Sequence, residues 1–305
     1  MREAVPAALD GQRLDRVVAM VTGLARAAVA DLVASGAVRV DGTVVTKPGR
    51  KVAEGEVVEA DVADSDAQAA CAPDPSVDVP VVHVDGDVIV VDKPAGLVVH
   101  PGAGNRAGTV VQGLLARFPE LAGVGDPARP GVVHRLDRGT SGLLVVARSP
   151  RAYTSLVTQL AERRASRRYT ALVWGHLDAG AGLIDAPIGR AQRDRTKMAV
   201  TAAGRDARTR YEVVREFSDP VDVTLLDCAL ETGRTHQIRV HLNAIHHPVV
   251  GDDRYRGGRK GLPVTLARPF LHARELAFDH PATGERVTFE SRLPPDLTRL
   301  LELLG

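Results

Sequence analysis

The sequence predicts an α+β protein: a mixed, mainly antiparallel sheet with flanking helices, preceded by a small N-terminal module. Three observations predict this class. Short valine-rich runs, typical of strands, recur along most of the chain. Segments with helical spacing are few, so the long βαβαβ alternation of a doubly wound parallel sheet is missing. At 305 residues, the chain is long enough to bury a substantial core in one or two domains.

The C-terminal part supplies most of the strand pattern. Residues 153–164 have helical spacing. Residues 234–247 fit either a strand or a helix, and Pro248 would end both. The remaining apolar runs predict strands at residues 79–84, 88–91, 131–133, 143–146, 169–174, 210–214, 221–230 and 286–289.

A smaller pattern precedes this part. Apolar residues at helical spacing predict one helix around residues 14–21 and a second around residues 29–33. Residues 36–45 then alternate around the pair Asp41-Gly42, which is a strong hairpin signal. Two helices followed by a hairpin are therefore expected near the N-terminus.

A polar, proline-bearing connector separates the two patterns. Residues 61–80 are mostly small or acidic and cannot bury enough apolar surface to fold alone. The sequence therefore predicts an N-terminal domain at residues 1–62, a flexible acidic linker at residues 63–80 and a larger domain at residues 81–305.

Charge is distributed unevenly along the chain. The formal net charge is +1, but residues 93–305 contain 31 basic and 22 acidic residues. Such a basic body favours nucleic acid as a partner, since phosphate contacts supply most non-specific affinity. The alternative is an ordinary solvated surface on which basic and acidic side chains are unevenly distributed.

Other compositional features narrow the class of protein. No stretch approaches the roughly 18 consecutive apolar residues of a membrane span. The first residues lack the basic start and apolar core of a secretory signal. Cys71 and Cys228 lack metal or redox spacing. We expect a cytoplasmic monomer that does not bind membranes.

The most informative stretch is residues 131–147, where Asp137 lies between Arg135 and Arg138 on a tight turn before an apolar run. Flanking guanidinium groups favour the ionised carboxylate. A positioned, ionised carboxylate suits a nucleophile or a base better than a proton donor. These residues alone favour a surface salt-bridge loop, because such loops are common.

Further residues favour the chemical interpretation. His134-Arg-Leu-Asp137, followed by Thr140-Ser-Gly, resembles the catalytic signature of the RluA/RluD-type RNA pseudouridine synthases. Gly139 stands where that family commonly carries an acidic residue. Other blocks resemble the same family in the same order, from about residue 80 to the C-terminus: residues 92–101, 168–175, 187–190, 197–198, 231–242 and 271–274.

The resemblance implies an α+β fold and a reaction that detaches uracil from its ribose, rotates it and rejoins it through carbon 5. Nothing is oxidised or hydrolysed, so no cofactor or metal is expected. Asp137 matches the family's catalytic aspartate, Arg239 its arginine partner, and Tyr169 the tyrosine beside the target base. Arg135 is expected to fill the space left by an extruded uridine. Expected RNA contacts are His134, Arg135, Arg138, Arg168, Arg190, Arg195, Lys197 and Arg234.

Taken alone, several of these residues have simpler interpretations. Spacing by itself leaves Arg239 and Arg234 as phosphate contacts or surface charges. An isolated strand tyrosine such as Tyr169 is usually part of the core. His236 and His241 lie near other histidines, but no set of side chains has a convincing metal-ligand spacing.

The N-terminal helices and hairpin resemble the RNA-binding domain named after ribosomal protein S4. That resemblance implies that basic residues of the second helix and hairpin face RNA: Arg26, Arg39, Lys47, Arg50 and Lys51. A purely structural helical hairpin is the alternative.

The sequence therefore predicts pseudouridine formation in structured RNA, foremost large-subunit ribosomal RNA, with transfer RNA as the runner-up. RNA within a pre-ribosomal particle is the expected partner. A glycoside hydrolase would need a second carboxylate flanking the bond, and the block around Asp137 contains none. A non-catalytic ribosome-assembly protein is the third possibility.

Overall fold

The computed structural model describes residues 2–6, 9–22, 26–60, 71–102 and 104–305, and their side chains except those of residues 26–28. The chain divides into two compact units, residues 1–70 and 71–305. The side chain of the predicted RNA contact Arg26 lies outside this description. Residues 63–70 of the predicted linker also lie outside it.

The smaller unit contains the two helices and the hairpin that the sequence predicts. Asp41 and Gly42 both have positive φ, as the tight turn of a two-residue hairpin requires. Leu14 and Val29 are fully buried among the sheet's apolar residues. Its elements are β1 (Arg2–Ala4), α1 (Leu14–Thr22), α2 (Arg26–Ala34), β2 (Val38–Val40), β3 (Thr43–Val44) and β4 (Val57–Ala60), and the strand order is β1-β4-β2-β3.

In the described part of the larger unit, nine strands form one sheet, and β10 and β11 form a separate hairpin. The strands are β5 (Val81–Val84), β6 (Val88–Lys93), β7 (Ser141–Ala147), β8 (Ser166–Trp174), β9 (Ala181–Asp185), β10 (Ile188–Arg190), β11 (Met198–Val200), β12 (Arg208–Phe217), β13 (Val223–Leu230), β14 (Leu271–Asp279) and β15 (Arg286–Glu290).

The order across the large sheet is β5-β6-β7-β14-β8-β13-β12-β9, and β15 pairs with the second half of β14. The pair β7–β14 is parallel, through His272 and Ala273, while the other neighbours run antiparallel. The predicted mixed, mainly antiparallel sheet is confirmed.

Helices cover both faces of this sheet, as the nearly continuous burial of β6 and β7 requires. They are α3 (Val110–Arg117), α4 (Pro150–Ala161), α5 (Gln237–Ala244) and α6 (Pro295–Leu304). Helices α3 and α5 pack on the face that carries Tyr169, and α4 and α6 pack on the other. Ile238 and Leu242 anchor α5, and each buried aliphatic side chain contributes about 1.5–3 kcal/mol. The ambiguous segment 234–247 thus contains a helix, Gln237–Ala244, rather than a strand.

Two local predictions were wrong. Residues 71–80 are not a free linker, because Cys71 and Val79 are buried in the core of the larger unit. Arg117 also donates to the Val79 carbonyl, at 3.1 Å. Residues 131–133 are not a strand: Val132 forms only an isolated bridge with Val146, and Gly131 turns the chain at a φ of 70°.

Candidate active site

A cleft of about 350 Å³ opens beside the loop that precedes β7. This loop supplies His134, Arg135 and Asp137 to the cleft wall, β8 supplies Tyr169, and the turn before α5 supplies Arg234. A smaller cavity of about 40 Å³ shares several of these residues and extends the cleft toward α5. The cleft therefore gathers residues from three distant parts of the sequence.

Asp137 and Arg239 meet at the inner end of this cleft. Arg239 Nη1 donates to Asp137 Oδ2 at 3.0 Å. The same guanidinium holds Asp252 with two hydrogen bonds, Nε to Oδ2 at 2.6 Å and Nη2 to Oδ1 at 2.9 Å. Burial opposes the charge, but the two carboxylates raise the pKa of Arg239 above its ordinary value. A charged, rigid guanidinium therefore orients the Asp137 carboxylate, whose side chain keeps 16% of its surface exposed.

Two further side chains support this arrangement. The Arg239 guanidinium lies over the Tyr255 ring, 5.1 Å from its centre. The Tyr255 hydroxyl is hydrogen-bonded to His236 Nδ1 at 2.8 Å, and His236 Nε2 lies 3.9 Å from Asp137 Oδ1. His236 is the residue just before α5. Its positive φ of 57° turns the backbone where the chain enters the helix.

Tyr169 forms part of the wall beside Asp137. It lies in the middle of β8, is 5% exposed and lines both cavities. Burial, assisted by the Asp137 charge and opposed by that of Arg167, raises the pKa of Tyr169 to about 12. The phenol is therefore neutral at physiological pH and forms part of the wall of both cavities.

Lys93, which is fully buried, holds the loop that carries Asp137 in place. Lys93 Nζ donates to the carbonyls of Pro94 and Leu97, each at 2.9 Å, and to that of Arg138 at 3.4 Å. Burial lowers the pKa of Lys93 to about 7, although the Asp137 charge opposes this change. These bonds tie the Asp137 loop to the end of β6.

The glycine at position 139 also has a structural reason. A Cβ at Gly139 would lie 2.9 Å from Pro269 Cδ, closer than real Cβ atoms approach a neighbour. The loop therefore packs against the segment before β14 in a way that a larger residue would disturb.

The predicted RNA contacts divide into two sets. His134, Arg135 and Arg234 line the cleft. Arg138 instead lines a second groove together with Arg268, and its Nε donates to the Gly96 carbonyl at 3.2 Å.

The other basic residues lie outside the cleft. Arg168 lies on the opposite face of β8 from Tyr169, where it pairs with Asp227, so it does not line the cleft, and its contact with RNA stays a prediction. Arg190, Arg195 and Lys197 belong to the hairpin of β10 and β11 and its turn. In the smaller unit, Arg39 and Lys47 are exposed, as a phosphate contact requires.

Comparison with known proteins assigns this geometry to a family. Residues 87–244 match the family described as RNA pseudouridylate synthase, a match that spans the loop, β8 and α5. The chain belongs to the RNA pseudouridylate synthase family. Its predicted enzyme class, an RNA pseudouridine synthase of the isomerase type, is confirmed.

The smaller unit of this synthase also matches a known domain. Residues 12–58 match the S4 domain, which confirms the resemblance seen in the helices and hairpin. An RNA substrate follows from the two matches together.

Similar proteins extend the match over the whole synthase. The chain is 45% identical to the ribosomal large subunit pseudouridine synthase D of Xanthomonas campestris, covering 100% of this chain and 92% of that protein. It is 44% identical to an uncharacterised RNA pseudouridine synthase of Bacillus subtilis, covering 96% and 94%. The solved structure of human RNA pseudouridylate synthase domain containing 1 has a TM-score of 0.57 and 29% identity, covering 75% and 89%.

Several residues of the synthase's site were missed by the sequence analysis. The sequence alone gives Asp252, Arg167 and Lys93 no role in the site. Strand alternation is the signal that indicates Arg167, because residues two apart on a strand share a face. No local pattern identifies Asp252 or Lys93.

His241 is explained by protein contacts. Its Nδ1 is hydrogen-bonded to Thr209 Oγ1 and its Nε2 to the Ala186 carbonyl, each at 2.9 Å.

Within the described ranges, every helix is too short or too polar to cross a bilayer.

Proposed function

We propose that this synthase converts uridine to pseudouridine in large-subunit ribosomal RNA, with Asp137 as the catalytic carboxylate and without a cofactor. The observation that carries the chemical part is the contact between Asp137 Oδ2 and Arg239 Nη1, at 3.0 Å inside an RNA pseudouridylate synthase match. The RNA class is supported by relatives such as the Xanthomonas campestris synthase, which is named for the large ribosomal subunit.

Asp137 acts as a nucleophile or a base at the target nucleotide. Attack on the sugar carbon, addition to the uracil ring and abstraction of a sugar proton all need the same ionised oxygen. Arg239 sets the orientation of that oxygen, because two hydrogen bonds to Asp252 leave the Arg239 guanidinium little freedom to rotate. The glycosidic bond between N1 and C1′ breaks and a bond from C5 to C1′ forms. The C5 proton leaves and N1 takes up a proton, so the product is an isomer and the reaction balances without an oxidant or reductant.

Tyr169 and Arg135 receive the base. The Tyr169 ring offers a flat surface for the detached uracil, and its neutral hydroxyl can donate a hydrogen bond. A uridine inside an RNA helix must first leave the stack, which costs a few kcal/mol. Arg135 is exposed and lines both cavities, so it is suited to replace the extruded base.

The test is a map of pseudouridines in ribosomal and transfer RNA from cells with and without this protein. We expect one or more large-subunit sites to revert to uridine and to return on complementation. Loss of sites only in transfer RNA would make transfer RNA the substrate instead of ribosomal RNA. Loss of no site would contradict the proposed function.

We also propose that the protein acts as a cytoplasmic monomer and that its substrate includes RNA in assembling ribosomal particles.

The S4 unit is proposed to hold the RNA while the larger unit modifies it. Deleting residues 1–70 should weaken RNA binding by about tenfold or more and blur the choice of uridine, because a tethered second module raises effective affinity. The truncation begins at Cys71, since that residue packs in the core of the larger unit. Binding titrations and pseudouridine maps compare it with the full chain.

The full-length variant Arg39→Ala/Lys47→Ala serves as the structure-preserving counterpart, because both side chains are exposed. It should weaken binding and flatten its salt dependence. Unchanged efficiency and selectivity in residues 71–305 would refute the role proposed for the S4 unit.

A further inference from the structure

Arg167 is a buried guanidinium that lines the cleft without a partner. It lies two residues before Tyr169 on β8, is 7% exposed and lines the cleft. Its Nε is buried with no acceptor, and its guanidinium forms no hydrogen bond or ion pair with any residue in the described ranges. Because a guanidinium with so little contact to water is unfavourable without a partner, an anion bound in the cleft would stabilise this side chain.

His134 presents a second unpartnered donor in the same wall. Its Nε2 accepts a hydrogen bond from the Val145 amide, at 3.1 Å, so Nε2 carries no proton. Burial, with the nearby Arg167 charge, lowers the pKa of His134 to about 3, and the ring is therefore neutral. A neutral imidazole with an unprotonated Nε2 carries its hydrogen on Nδ1. That Nδ1 is buried and has no acceptor in the described part of the chain.

The surroundings identify the missing group as an anion. Arg135 and Arg234 also line the cleft, whereas Asp137 is the one carboxylate among its described lining residues and is held by Arg239. A neutral nucleobase offers carbonyl oxygens but no charge. A phosphodiester supplies both a negative charge and oxygens spaced for a guanidinium fork.

We propose that the Arg167 guanidinium, beside the neutral His134 ring, binds a non-bridging oxygen of a phosphate that flanks the target uridine. This inference rests on the proposed function, because it makes the phosphate part of the RNA nucleotide in the cleft. Gly233 leaves the space that the site needs, since a Cβ there would lie 2.7 Å from Arg167 Nη1. The phosphate contact fixes the ribose of the target nucleotide, and with it the distance from the sugar to Asp137.

The test removes the charge from either partner. Three synthetic RNAs share the sequence around the uridine mapped for the wild-type protein: one unmodified, one with a methylphosphonate 5′ of that uridine, and one with it on the 3′ side. We expect one of the two methylphosphonates to lower kcat/KM of the wild type by about 10- to 100-fold. Arg167→Gln should cause a similar loss on unmodified RNA and then show no further loss on that methylphosphonate.

Two more variants make the comparison specific. Arg164→Gln, an exposed residue that pairs with Glu162 and Asp279, should behave as the wild type on all three RNAs. Arg167→Lys keeps the charge without the fork, so its methylphosphonate penalty should be smaller than that of the wild type. If Arg167→Gln fails to fold, as thermal unfolding would reveal, the lysine variant decides the comparison.

The inference is overturned if the wild type keeps its kcat/KM on both methylphosphonate RNAs. It is also overturned if Arg167→Gln loses as much kcat/KM on the methylphosphonate RNA as the wild type does, so that the two losses multiply. The proposed function fails differently, through absence of pseudouridine on the unmodified RNA with wild-type protein. The two failures are therefore distinguishable in one experiment.

Discussion

Asp137→Asn is expected to abolish pseudouridine formation, lowering kcat by about 10⁴-fold or more, while RNA affinity stays within a few-fold of wild type. Asparagine has nearly the same shape as aspartate but carries no charge and is a poor nucleophile and base. Its amide oxygen can still accept the bond from Arg239 Nη1. Arg239 also keeps both bonds to Asp252, so the free energy of unfolding should change by about 1 kcal/mol or less.

The measurement is single-turnover pseudouridine formation, with binding and thermal unfolding recorded on the same preparations. Asp178→Asn is the matched control, because Asp178 is exposed in the connection between β8 and β9, away from the cleft. It removes the same charge and should retain full activity. Normal activity of Asp137→Asn would remove the catalytic role from this carboxylate, and loss of RNA binding would assign it to recognition instead.

Much of the fold follows from local pattern. The hairpin at Asp41-Gly42 and helix α4 follow from turn chemistry and apolar periodicity, both of which act over a few residues. Helix α3 was missed because its burial depends on a distant segment: a Cβ at Gly113 would lie 2.6 Å from the Val77 carbonyl. The same contact explains why residues 71–80, polar by composition, are ordered rather than a linker.

The candidate site was predictable to a different extent. Asp137, Tyr169 and Arg239 were found by family resemblance, and the fold brings all three together. The predicted strand begins at residue 169, so its alternation gives no reason to place Arg167 in the cleft. The observed β8 begins at Ser166, and its pleat directs Arg167 to the cleft and Arg168 away from it.

Asp252 has no signal of this kind, yet its removal should have the second largest effect. Asp252→Ala leaves the buried Arg239 with only its bond to Asp137, and we expect unfolding to become easier by about 3 kcal/mol. The freed guanidinium no longer holds one direction, so kcat should fall by about 100-fold with little change in KM. Chemical denaturation and steady-state kinetics measure the two effects separately.

The variant Asp252→Leu/Arg239→Met separates charge pairing from simple packing. Removing both partners leaves no unpaired buried charge, so it should recover a large part of the stability lost in Asp252→Ala, while activity stays low because Asp137 has lost its guide. Asp253→Asn, at the exposed neighbouring position, should leave both stability and kcat unchanged. A stable, active Asp252→Ala would mean that Arg239 needs no second carboxylate, and that Asp137 alone keeps the guanidinium in place.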